Sequence, residues 1–142
     1  LDGRFAQIRG GKMPIVYIDI NKGFDKEYKK SILDGIHKAL VDSFKIPDND
    51  RNQIIREHEE DLFEKSKDKT NKFIIIEIVA YKGRTREAKR KLYQEIVKNL
   101  EKQPGINPND VLININEPEL VNWGVSGGKC ADETDLGFKI SV

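Results

Sequence analysis

The chain has 142 residues and carries 25 Lys+Arg against 24 Asp+Glu, a net charge of +1, and that length suits one domain with a core of its own. A balance so near neutral argues against nucleic acid or an anionic membrane as principal partner. Cys130 is the only cysteine, which excludes an intrachain disulfide and a cysteine-built metal cage, and no apolar run approaches the ~20 residues of a membrane-spanning helix, so the expected setting is a reducing cytoplasm.

Leu1 to Lys12 shows neither helical nor strand period and lacks the apolar heart of a signal peptide, so it reads as an expression-tag remnant. Setting it aside removes Arg4, Arg9 and Lys12 against Asp2, and the balance falls from +1 to −1. On this reading the natural product begins at Met13. A Met before a small residue is normally trimmed, which would leave Pro14 with a free secondary amine. The reference pKa of an α-amino group is roughly 8, close enough to neutrality for its surroundings to decide between base and acid. Pro14 equally suits the opening of an edge strand, where its missing N–H costs nothing.

Pro14 to Ile20 is β-branched and aromatic, and predicts a strand covered mainly on one face. Past Lys22-Gly23, Asp25 offers a helix N-cap. Tyr28, Ile32, Ile36, Leu40 and Phe44 then form the stripe of an amphipathic helix that ends before Pro47. A short strand is expected at Gln53 to His58, followed by a charged loop with a turn of helix from Glu59 to Lys72. Phe73 to Val79 is the strongest strand of the chain and ends at Lys82-Gly83. Thr85 caps a second helix, with Ala88, Leu92, Ile96 and Leu100 on one face and a stop near Pro104, and the strand Val111 to Asn116 follows. Asn122 to Val142 is a Gly-rich arm with Trp123 as its anchor.

An offset of 60 residues superposes Gly23 on Gly83, Asp25 on Thr85, Ile32 on Leu92, Ile36 on Ile96, Leu40 on Leu100 and Asp50 on Asp110. This is the signature of a duplicated β-α-β unit. Two such units predict an α+β fold, with a four-stranded core sheet, both helices on one of its faces, short extra strands and the C-terminal arm. A chain this short has no third layer for the other face, so burial by further subunits in a closed ring is expected.

Few residues besides Pro14 invite chemistry. Lys82 and Arg84 flank a glycine on the turn leaving the strongest strand, where they suit either a carboxylate ligand or a solvated turn. Asp50, in Pro47-Asp48-Asn49-Asp50-Arg51, suits a turn or a carboxylate that orients water or raises the pKa of an amine. Trp123 suits a substrate wall or a core anchor. His37 and His58 have no metal spacing and read as structural. No phosphate loop, nucleophile elbow or dinucleotide fingerprint is present, and no cofactor or metal is implied.

Together these residues resemble the tautomerase superfamily, and within it the malonate semialdehyde decarboxylase branch. The resemblance runs from Pro14 to about Trp123, through Ile46 to Arg51, Tyr81 to Arg84, Gly105 to Val111 and Asn122-Trp123. It implies that Pro14 is the amino-terminal proline catalyst, Asp50 the aspartate associated with decarboxylation, Arg84 the second of two family arginines and Trp123 the aromatic near the cavity. Lys82 stands where the first arginine would be, keeping the charge without the planar fork. Further implications are a homotrimer and a small keto or enol carboxylate as substrate, turned over by tautomerisation and isomerisation or by hydration and decarboxylation. A non-catalytic binding or signalling module on the same fold, as in macrophage migration inhibitory factor, is the alternative.

Overall fold

The computed structural model describes residues 14–133, so the segment read as a tag remnant, Met13 and the end of the C-terminal arm lie outside the described residues. In chain order it contains β1 (Ile15–Asn21), α1 (Lys26–Phe44), β2 (Gln53–His58), β3 (Ile74–Val79), α2 (Arg86–Lys102) and β4 (Val111–Asn116), then a small hairpin of β5 (Gly124–Val125) and β6 (Lys129–Cys130). The main sheet runs β2-β1-β3-β4. Each β-α-β unit closes a parallel pair, β1 with β2 and β3 with β4, and the units join through the antiparallel pair β1–β3.

Local chemistry explains why the two units look alike. Gly23 and Gly83 have φ of 111° and 129°, a region that side-chain-bearing residues rarely adopt. Each glycine lets the strand turn into a capped helix: Asp25 Oδ1 accepts the Tyr28 N–H at 2.8 Å and Thr85 Oγ1 accepts the Ala88 N–H at 3.1 Å, interactions worth about 1 kcal/mol apiece. α1 stops at Phe44, where Lys45 adopts φ 56° and its N–H closes onto the Val41 carbonyl at 3.1 Å. β1 begins at Ile15 rather than Pro14, because proline has no N–H to give to a ladder. The loop after β2 contains one short 3-10 turn, Glu60–Leu62.

Period-two alternation then divides the sheet into two faces. Val16, Ile18 and Ile20 of β1 and Ile74, Ile76 and Ile78 of β3 are buried under the helix layer. Against them pack Ile32, Ile36 and Leu40 of α1 and Leu92, Ile96 and Leu100 of α2, which belong to the same core cluster. The helices touch closely at Gly35, where an added Cβ would lie 3.3 Å from both Asn99 Cβ and Leu100 Cδ2. That proximity lets the Asn99 side-chain amide donate to the Gly35 carbonyl at 2.9 Å.

The opposite face has little cover. Ile54 is 50% exposed and Leu112 53%. Polar groups share this face: Asp19 accepts two bonds from Arg56, at 3.0 and 3.1 Å, and one from His58 Nε2 at 2.7 Å. Burial pushes the Asp19 carboxyl up, but these partners outweigh it and hold it below the usual range. The other histidine works beneath the sheet's edge, where buried His37 Nε2–H donates to the Asp48 carbonyl at 2.8 Å and steadies the turn ahead of Asp50. Both histidines thus bond to protein groups. Among the described residues, no helix is long and apolar enough to cross a membrane.

The Gly35 contact yields a test of the helix layer. Gly35→Leu is expected to lower stability by about 1–3 kcal/mol through overpacking, read as a lower urea midpoint with an unchanged slope.

Candidate active site

The site is assembled by the two ladders of β1. Ile15 lies opposite Val79 in the antiparallel pair, so continuing the register one step sets Pro14 beside Ala80, with Tyr81 to Arg84 immediately after. On the other flank, the Val16 N–H donates to the Asn52 carbonyl at 2.9 Å, which brings Asp50 and Asn52 to the same end of the sheet. Pro14 is itself buried there. One strand head is therefore bracketed by two segments that are distant in sequence.

Asp50 is 2% exposed. Its N–H donates to the Pro47 carbonyl at 3.0 Å, closing a turn, and its Oδ1 accepts from Asn52 Nδ2 at 2.9 Å. A carboxylate taken so far out of water needs such donors.

Arg84 is 6% exposed, an unusual state for a guanidinium. Its plane lies over the Phe44 ring at 4.8 Å and Nη1 donates to the Tyr81 carbonyl at 3.3 Å. Nε and Nη2 have no hydrogen-bond partner among the described residues. Burial, only partly offset by the Glu117 and Asp50 carboxylates, pulls the guanidinium down to about 10, so it remains charged at neutral pH.

Trp123 is half-buried and meets Tyr81 edge-on, with ring centroids 4.9 Å apart at 73°. Its Nε1–H donates to the Pro118 carbonyl at 3.2 Å. Tyr81 is fully buried, and that burial, then the Asp50 carboxylate, pushes its phenol up. Beside these groups runs a groove of about 400 Å³ lined by Ile15, Tyr17, Asn52, Ile54, Trp123 and Val125. The corner thus combines a strand-head proline, a buried carboxylate, a buried cation and an apolar channel, a set suited to holding a small anion while moving a proton.

Lys82 stands apart from this group. Its side chain is 54% exposed and its ammonium pairs with Glu119. The neighbouring Lys89 pairs likewise with Glu117 at 2.7 Å. Of the residues predicted from sequence, Asp50, Arg84 and Trp123 converge around Tyr81 at Pro14's end of the sheet, whereas Lys82 faces outward. Asn52, Tyr81 and Phe44 were not singled out by sequence reading. Phe44 signalled only a helix face, and Tyr81 only the end of an apolar strand.

Comparison with known proteins gives one consistent result. Residues 50–126 and residues 14–63 match two family profiles, each described as a tautomerase enzyme. The chain is similar to the probable tautomerase YrdN of Bacillus subtilis (strain 168), with 30% identity over 122 residues covering 82% of this chain and 94% of that protein. It also resembles a solved malonate semialdehyde decarboxylase, at 26% identity and a TM-score of 0.74, covering 82% of this chain and 93% of that one. A fused 4-OT, solved as a symmetric trimer, shares the fold at a TM-score of 0.74 and 19% identity, covering 83% of this chain and 96% of that one.

Burial separates the two cations of the turn experimentally. Arg84→Lys should cost about 1–2 kcal/mol, since an ammonium cannot keep both the stack on Phe44 and the bond to Tyr81. Lys82→Ala, which removes an exposed ion pair, should stay within about 0.5 kcal/mol of the parent. Urea denaturation of the two variants checks both expectations.

Proposed function

Because this chain belongs to the tautomerase superfamily, we propose that Pro14 is its catalyst, acting as a free amine on a small keto or enol carboxylate. The observation that carries this reading is the burial of Pro14 at the strand head beside the Asp50 and Arg84 segments. Arg84 has two nitrogens without protein partners and stays charged at neutral pH, which suits it to a substrate carboxylate. Trp123 then walls the bound molecule. Lys82 has a lesser part, because its ion pair with Glu119 must open before it can reach an anion.

Two courses follow from the same groups. As a neutral amine, Pro14 takes a proton from an enol oxygen or from the carbon beside a carbonyl and returns it elsewhere on the conjugated system, giving tautomerisation or 1,3-isomerisation. The nearby cation favours this state by disfavouring a second positive charge. As an ammonium, Pro14 instead polarises a carbonyl or an activated alkene while Asp50 orients water, giving hydration or decarboxylation. The similar malonate semialdehyde decarboxylase is described as having decarboxylase and hydratase activities, and Asp50 supplies a carboxylate for such chemistry here. Proton transfer at Pro14 is common to both courses.

The assembly belongs to the same proposal. Ile54 and Leu112 leave apolar area open on the helix-free face, and a homotrimer would cover it; the fused 4-OT was solved as a symmetric trimer. Light scattering at micromolar concentration should give three times the chain mass; a monomer would contradict the proposal.

The catalytic reading depends on the chemical state of one nitrogen. In a chain that continues through Met13, Pro14 nitrogen is a tertiary amide with no usable lone pair. A form beginning at Pro14 is therefore expected to turn over at least one of phenylpyruvate enol, 2-hydroxymuconate and malonate semialdehyde. Pro14→Ala, or extension through Met13, should each lower kcat/KM by about 100-fold or more. No turnover of any of these by the Pro14-initiated form would leave the binding-module reading in its place.

A further inference from the structure

Asn52 has no chemical signature in the sequence, yet it touches both halves of the site. Its main-chain carbonyl accepts the Val16 N–H at 2.9 Å, the bond that fixes where the head of β1, and hence Pro14, stands. Its side-chain Nδ2 donates to Asp50 Oδ1, also at 2.9 Å. The same residue lines the apolar groove. A single residue, Arg51, lies between Asp50 and Asn52 in the chain, so the carboxylate and the strand head are linked through one short, doubly bonded segment.

That segment is anchored on either side. Arg51 Nη2 donates to Asp34 Oδ1 at 2.9 Å, and Gln53 Nε2 donates to the Leu33 carbonyl at 2.8 Å. Both partners belong to α1, so the flanking side chains fasten the backbone to the helix layer and leave the Asn52 amide committed to the site. Among the described residues, two further groups act on Asp50 through charge: Arg84, which also rests on Phe44 and donates to the Tyr81 carbonyl, and Tyr81, whose ring also meets Trp123. An ionised carboxylate can only accept. Donation from the Asn52 amide nitrogen at this distance favours the charged form of that acid over the neutral one.

We propose that Asn52 is a positioning residue, one that sets the spacing between Pro14 and the Asp50 carboxylate and keeps that carboxylate ionised. This rests on the reading of the corner as the active site. It adds a group that acts by holding the Asp50 carboxylate in place relative to Pro14.

The test uses the full chain with aspartate labelled at the side-chain carboxyl carbon, the Asp50 resonance being identified by its loss in Asp50→Asn. Asn52→Ala should move the Asp50 titration midpoint upward by about one pH unit, since a donor to the charged form is lost. Gln53→Ala, which frees the segment from α1 without touching the carboxylate, should move it far less. In the Pro14-initiated enzyme the same Asn52→Ala change should lower kcat about tenfold with KM within about twofold, and shift the acidic limb of the pH profile with the midpoint. A midpoint unchanged in Asn52→Ala, or moved equally by Gln53→Ala, overturns the proposal. If Asn52→Ala does not fold, the isosteric Asn52→Asp gives the reading instead: two coupled titrations with one raised are expected, and two independent ones overturn it. Unchanged turnover in Asp50→Asn would instead sink the catalytic reading of Asp50, while leaving the titration to judge Asn52 by itself.

Discussion

The register of β1 against its two neighbours is the constraint on which the rest of this structure depends. β1 is the strand that pairs parallel with β2 and antiparallel with β3, and its buried residues Val16, Ile18 and Ile20 interlock with Ile74, Ile76 and Ile78 under the helices. A slip of one residue would turn the buried set outward, which the apolar core forbids. A slip of two would keep the faces but move Pro14 by about 7 Å relative to the turn carrying Tyr81 and Arg84. The main-chain bond from Val16 to Asn52 and the capped helices on either side work against the second error. Core packing and site geometry are thus the same fact seen at two ends of one strand.

Against that rigid frame, the corner holds groups that water would solvate better. Arg84 is nearly inaccessible with two nitrogens unbonded among the described residues, and Asp50 is buried near it. Burying ions costs several kcal/mol each unless compensated. Compensation among the described residues includes a ring beneath the guanidinium, a main-chain acceptor, an amide donor to the carboxylate and the long-range attraction of opposite charges. Charges kept in place and under-solvated before any ligand arrives need little rearrangement when one does, which is the usual origin of strong electrostatic stabilisation at a reacting centre.

Much of the fold was legible in the sequence because local signals agreed. Gly23 with Asp25 and Gly83 with Thr85 mark strand-to-helix turns, the i, i+4 stripes mark the helices, and the repetition of both at one offset reveals the duplication. The central strand Ile74–Val79, five of its six residues isoleucine or valine, could scarcely be anything else. The candidate site was legible where residue type or motif is itself unusual: a proline at a strand head, an arginine beside a glycine, an aspartate in a Pro-x-x-Asp-Arg turn and a lone tryptophan. Asn52 and Tyr81 escaped notice because an asparagine in a polar run and an aromatic after a strand are ordinary; only the register reveals what they touch. Lys82 was grouped with Arg84 by adjacency, yet Gly83 separates an outward from an inward side chain, and Glu119, its partner, lies 37 residues away.

The duplication has a further consequence at the strand heads. At the 60-residue offset, Ile74 is the counterpart of Pro14 and Asp110 that of Asp50. Asp110 is as deeply buried as Asp50, but the Thr70 N–H and hydroxyl both bond to it, and Phe24, stacked on Tyr28 at 4.0 Å, stands where the other half has Arg84. A covalent chain has a single amino terminus, so of two equivalent strand heads in one polypeptide only the first can ever present a terminal amine. Fusing two units into one chain therefore halves the number of amine-bearing corners per unit. The corner that can never hold an amine is left to serve as a structural joint, closed by hydroxyl and ring contacts.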